Sequence, residues 1–192
     1  MANRSYLYST DFLPDSPEWT VKKSLHGISE YRYDIPLVFK ILLSGNPVAC
    51  RSSIWDAQEP IAIAGDYSIG RANLVKYLQR ISDSAASQLV DEALQYLNAP
   101  ANSRLHFILE CGEIFELTKG SLLDKSSALL SEIKEIGANL DSLPIPNPIR
   151  AQSGLFAKIF KLKPPDPLSP YYELGLGFWS EILYFSFGEN EA

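Results

Sequence analysis

Histidine and cysteine are scarce in this chain, with two of each. So few ligands, scattered along the sequence, make a poor zinc site. Cys50 and Cys111 cannot build a secreted disulfide framework, which points to a reducing, cytoplasmic setting. Long apolar runs are missing too. No segment approaches the roughly 20 apolar residues of a membrane-spanning helix, and the opening MANRSYLYSTDF holds no apolar leader. Basic residues are outnumbered, 17 Lys and Arg against 23 Asp and Glu, for a net charge of −6. Nucleic-acid binding rests on Lys and Arg neutralising phosphates, so that class is set aside. An acidic surface suits a basic protein partner, or solubility alone.

What is present is ordinary globular material: 46% hydrophobic and 21% charged residues in 192. A chain of this length buries about 70% of its unfolded surface and needs no metal or disulfide to hold a core. The expectation is one α+β domain over residues 1–192. It carries a proline-rich connector near 144–148 and a frayed tail at 189–192.

The alternation around Tyr6 and Tyr8 predicts a strand. Glu18–Tyr33 has no clean period. Asp34 and Pro36 suit the start of a helix that carries Leu37, Val38, Ile41 and Leu42, with Gly45 taking the left-handed position at its end. Another helical turn is expected at Val48–Trp55. A short strand follows at Pro60–Ala64, then a turn over Gly65–Gly70. Arg71–Ile81 is a helix by spacing, and Ser84 or Ser87 caps the next one, with its stripe of Leu89, Val90, Leu94 and Leu97. Leu105, Phe107 and Leu109 alternate with His106 and Glu110 as in a strand. Glu113–Leu117 reads as a second strand across a Cys111-Gly112 turn, and Ser121 caps the longest helix.

Aromatic residues concentrate in Tyr171–Phe187, YYELGLGFWSEILYFSF. Leu183, Phe185 and Phe187 fall on one face of an extended chain, Ile182 and Tyr184 on the other. Apolar groups on both faces predict a strand buried on both sides. The expected fold is therefore a mixed sheet with this C-terminal strand at its centre, packed by about five helices. Gly175 and Gly177 suit a bulge or a close backbone crossing.

At MANRSYLY, DIPLVFKILLSG, CGEIFEL and LGLGFWSEILYF the chain resembles a family of small, poorly characterised bacterial cytoplasmic proteins that open with Met-Ala-Asn-Arg-Ser-Tyr-Leu-Tyr. The resemblance runs from the N-terminus to the closing aromatic stretch. It associates the chain with toxin and immunity neighbourhoods, which implies a protein-binding role and supplies no catalytic motif.

Candidate chemistry is sparse. Gly65-Asp-Tyr-Ser-Ile-Gly70-Arg71-Ala72 has the glycine spacing of a phosphate-binding loop. It lacks the Lys and the Ser or Thr that the chemistry needs, and Asp66 would set a negative charge in the cradle. A plain strand–turn–helix connection is the favoured reading. His106 and Cys111 are neighbours in sequence, yet a nucleophile needs its base within hydrogen-bond reach. A buried structural Cys and a surface His are expected. Gly154–Lys163 resembles a membrane-surface peptide, but it is short and more simply packs on its own core with its lysines reaching out. Glu110, Glu113 and Glu116, with Asp124 further on, form a local acidic group. Nothing in the sequence marks one of them for burial. They are expected on a solvated face, the kind of surface a basic toxin's cleft would meet.

Two classes of function remain. One is a non-catalytic binder, an immunity-type inhibitor that covers a basic toxin domain without any cofactor or metal, using Glu110, Glu113, Glu116 and Asp124. The other is a small enzyme whose active site carries no recognisable motif. A cleft gathering His, Cys, Asp and Glu favours the enzyme; an acidic surface with exposed aromatics favours the binder.

Overall fold

The computed structural model describes residues 3–20, 25–146 and 166–185. Its centre is a five-stranded, wholly antiparallel sheet in the order β2-β1-β5-β4-β3. The strands are β1 (Arg4–Thr10), β2 (His26–Arg32), β3 (Val48–Cys50), β4 (Ala62–Asp66) and β5 (His106–Glu110). The main helices are α1 (Leu37–Leu43), α2 (Tyr67–Leu78), α3 (Ser87–Asn98), α4 (Gly112–Glu116), α5 (Leu122–Ala138) and α6 (Ser169–Glu173). Strands and helices share one sheet and one principal core, so the fold is α+β and a single domain.

The pleat sorts side chains by parity. Leu7, Ile63, Phe107 and Leu109 turn to one face, where α1, α2, α3 and α5 supply Phe39, Leu42, Leu74, Leu97 and Ile133. Tyr6, Tyr8, Ala62, Ala64 and Ile108 turn to the other, covered by Leu13, Leu25, Ile54 and Leu183. Both faces are buried, so β5 reads as a run of buried residues, Phe107 to Glu110. α1 buries Val38, Phe39, Ile41, Leu42 and Leu43. A short helix apolar nearly all round lies inside, here between the sheet and α2 and α5.

Local chemistry sets the helix ends. Asp66 accepts from Ile69 N–H and caps α2; Ser121 accepts from Asp124 N–H and caps α5, as expected. Before α3 it is Asp83, rather than Ser84 or Ser87, that caps the preceding turn, by accepting from Ala85 N–H. At the end of α1 the left-handed residue is Asn46 (φ 50°), not Gly45. Gly45 is there for space: a Cβ on it would sit 2.7 Å from the Gly70 nitrogen.

Other expectations fall. Val48–Trp55 is not helical. Val48–Cys50 pairs with Ala62–Ala64, and the Ser52 hydroxyl then accepts from Ile54 and Trp55 N–H, a local bond that competes with helix. Glu113–Leu117 is not a strand, since Phe115 N–H bonds Cys111 C=O and starts α4. The segment is too short for its alternation to have carried weight.

The C-terminal stretch is not the centre of the sheet; β5 is, flanked by β1 and β4. After α6 the chain turns at Gly175 (φ 98°) and Gly177 (φ 83°), then touches the free edge of β2 through one bridge, Ser29 to Trp179, backed by Ser180 N–H to Ile28 C=O. Beyond it, among the described residues, only Leu183 is buried; Ile182 is 80% and Tyr184 53% exposed. The aromatic density that predicted burial reflects amphipathic rings leaning on the surface. Gly154–Lys163, Phe187 and the 189–192 tail lie outside the described residues.

Candidate functional site

The acidic group Glu110, Glu113, Glu116 and Asp124 does not form one surface. Glu110 ends β5 on the face of Ile108 and is 1% exposed, which corrects the expectation of a solvated carboxylate. Its Oε1 accepts from Ser53 N–H (2.6 Å) and Ser53 Oγ (2.7 Å), and its Oε2 from Ser52 Oγ (2.7 Å). Burial pushes its carboxyl above the usual range, against the pull of those hydrogen bonds. Glu113 turns back onto β1, accepting from Arg4 N–H (2.8 Å) and the Tyr6 hydroxyl (2.9 Å). Glu116 and Asp124 are exposed. Two of the four carboxylates are thus fastened to the fold, and two face solvent.

The cysteines give no nucleophile. Both are free and buried, Cys50 with the Tyr6–Tyr8 face and Cys111 with the helical face. Burial, then the nearby Glu110 carboxylate, pushes both thiols up, so they stay protonated and unreactive. His106, on the parity of Ile108, leaves β5 away from the Cys111 side. Among the described residues no group of three or more His, Cys, Asp and Glu is placed to hold a metal ion.

The phosphate-loop lookalike is no loop. Gly65 lies in β4, Asp66 caps α2, and Gly70 is inside α2. A Cβ on Gly70 would collide with the Leu42 carbonyl, and one on Gly65 with Leu43 C=O at 2.5 Å. The glycines exist so that α1 can lie against β4 and α2. Arg71 is turned to Asn98 Oδ1 at 2.5 Å.

Exposed apolar side chains are scattered over the described residues, among them Tyr33, Leu105 and Leu117, but four fall within one short segment. Phe178 (41%), Ile182 (80%), Tyr184 (53%) and Phe185 (38%) all belong to the C-terminal arm that follows α6. The arm is held down at several points. Phe178 meets Tyr31 edge-on at 5.5 Å, Tyr184 N–H donates to Glu30 Oε2, and the Tyr8 hydroxyl donates to the Phe185 carbonyl. Arg4 lies 4.7 Å over the Tyr184 ring and pairs with Glu30 at 2.9 Å.

Trp179 separates two hollows beside the arm. One, of about 540 Å³, lies between Glu30–Arg32 of β2 and Phe178–Ser180. The other, about 410 Å³, lies between the arm and α3, lined by Glu92, Gln95, Tyr96, Asn102, Trp179 and Glu181. Its floor is fixed. The Trp179 and Tyr96 rings stack at 5.8 Å, the Tyr96 hydroxyl donates to Gly27 C=O, and buried Asn102 links Tyr96 C=O to His26 Nε2. Burial first, then the Glu181 carboxylate, pushes the Tyr96 phenol up. Sequence reasoning noticed the aromatics of the arm but read them as buried. Glu92 and Tyr96 carried no signal, because only the fold sets α3 against the arm.

The class defined so far is an α+β domain with one helical layer and an arm laid along a sheet edge. Residues 11–144 match the model of a domain of unknown function, DUF7822, and the chain belongs to that family. The match leaves out the whole of β1, α6 and the arm. No curated protein and no solved structure matches the chain. Among the described residues no helix is long and apolar enough to cross a membrane.

Proposed function

We propose that the protein is a non-catalytic binder, an immunity-type inhibitor that neutralises a basic bacterial toxin domain in the cytoplasm by covering it. The observation that carries this reading is the arm: Phe178, Ile182, Tyr184 and Phe185 are each exposed on a short segment pinned to β2. Interface centres favour large aromatic anchors held in place before contact, which keeps the ordering cost of binding low. The net charge of −6 adds attraction for a basic partner and speeds encounter. The resemblance at MANRSYLY and LGLGFWSEILYF supports the toxin setting. The contact surface moves from the Glu110–Asp124 group to the arm, with Glu116 and Asp124 left to steer.

The test is co-expression with the product of the neighbouring reading frame in the source genome. The expected result is a toxic neighbour, rescue of growth, and a stable complex. Ile182→Ala with Tyr184→Ala should raise the dissociation constant by about tenfold to a hundredfold while the fold is kept, with a small fall in melting temperature for the lost Arg4–Tyr184 contact. A harmless neighbour, or a complex indifferent to both substitutions, overturns the proposal.

A further inference from the structure

The hollow between α3 and the arm has a composition that selects its occupant. It combines a stacked aromatic pair, Tyr96 and Trp179, with two carboxylates, Glu92 from α3 and Glu181 from the arm. Among the described residues no basic side chain lines it. Among the described residues neither carboxylate is paired with a cation; Glu92 accepts only the Gln88 amide at 2.9 Å. At about 410 Å³ it is in the range of small-ligand pockets, roughly 300–1,000 Å³, and has room for one long side chain. Aromatic faces attract cations through their quadrupole, and carboxylates complete the charge.

We infer that this cleft is a recognition site for an arginine side chain presented by a protein partner. A planar guanidinium lies flat on an aromatic ring while its edge donates to a carboxylate; an ammonium is more strongly hydrated and makes the ring contact less well. An anion is repelled by Glu92 and Glu181, and a purely apolar group leaves both desolvated without a partner. The site is set by the fold: Asn102 and the Tyr96 hydroxyl fix one wall, and the Ser29–Trp179 bridge fixes the other. This inference rests on the binding role proposed above and adds the chemistry the partner must show.

The full chain, labelled with nitrogen-15, is titrated with acetyl-Gly-Arg-Gly-amide and with the same peptide carrying citrulline or lysine. The Trp179 indole N–H, buried and without a hydrogen-bond partner among the described residues, is a direct reporter, assigned with Trp179→Phe. The arginine peptide should shift the signals of Trp179 and Tyr96 saturably. Citrulline, which is isosteric but neutral, should bind about tenfold more weakly or worse, and lysine should fall between. Glu92→Gln with Glu181→Gln, both surface changes, should weaken the arginine peptide to the citrulline level with the spectrum otherwise unchanged. Equal binding of arginine and citrulline overturns the inference, as do shifts scattered over acidic residues outside the cleft. With a partner in hand the two proposals separate. A complex that is sensitive to Ile182→Ala with Tyr184→Ala but blind to the Glu92 and Glu181 changes removes the arginine site and leaves the binder. Saturable arginine binding without a toxin-class partner does the reverse.

Discussion

The two faces of the sheet are built on different rules. The helical face is apolar and deep: Leu7, Ile63, Phe107 and Leu109 meet four helices, and Phe107 stacks on Tyr67 at 4.2 Å. The opposite face is thinner and polar at its margins. Tyr6, Tyr8 and Ile108 lie under loops and the arm, and the cover is latched by hydrogen bonds to Glu110, Glu113 and the Phe185 carbonyl. One face is held by volume, the other by pairing, and the arm proposed above as the binding surface lies on the second face.

Matched truncations test that contrast first. Ile63 and Ile108 are adjacent-strand isoleucines, both about fully buried, on opposite faces. Ile63→Ala should cost toward the top of the usual range, about 4–5 kcal/mol, because rigid helices cannot collapse into the cavity. Ile108→Ala should cost nearer 2 kcal/mol, because loops can. Urea unfolding of both variants decides it, and equal losses would erase the distinction.

Next comes the latch at Glu110. Glu110→Ala strands the Ser52 and Ser53 donors and should cost about 3 kcal/mol. The charge adds a pH signature. The folded carboxyl sits above its unfolded value, so the native state holds the proton where the unfolded chain has released it. The contribution of this group is full below the unfolded value and is lost as pH rises through the folded one. Thermal melts across that window should show the decline in the natural chain and a flatter profile in Glu110→Gln.

Smaller again is Glu113→Gln. It weakens the bonds from Arg4 N–H and the Tyr6 hydroxyl and should cost about 1–2 kcal/mol. Glu116→Lys, on an exposed side chain, should stay within about 0.5 kcal/mol in the same assay. The pair sharpens the point that neighbouring glutamates in one helix have different work.

The helical face was largely legible in the sequence. Leu74 and Leu78, Leu89 and Leu97, Leu129 and Ile133 recur at helical spacing, and Ser121 announced its cap. The strands β1, β4 and β5 stood out by alternation or by short apolar runs. β2 did not, because four of its seven residues are Gly, Ser, Glu or Arg, and only pairing with β1 makes it a strand. The candidate surface was misplaced for a related reason. Sequence shows that Glu110 is acidic, not that Ser52 and Ser53 close over it from a loop more than fifty positions earlier. The arm's rings announced themselves, but whether they face in or out depends on which partner lies above them.

The sheet order also fixes a timetable. β1 is made well before its inner partner β5, with Thr10 opposite His106. At roughly 5–20 residues per second, that neighbour is synthesised on the order of ten seconds later. During the wait a tyrosine-rich strand has one edge open, and open edges recruit other chains. β2 follows closely and pairs antiparallel with β1, so a hairpin can guard the other edge from the start. The weakly patterned β2 is thus placed to shield one edge of β1 until β5 arrives to complete the sheet.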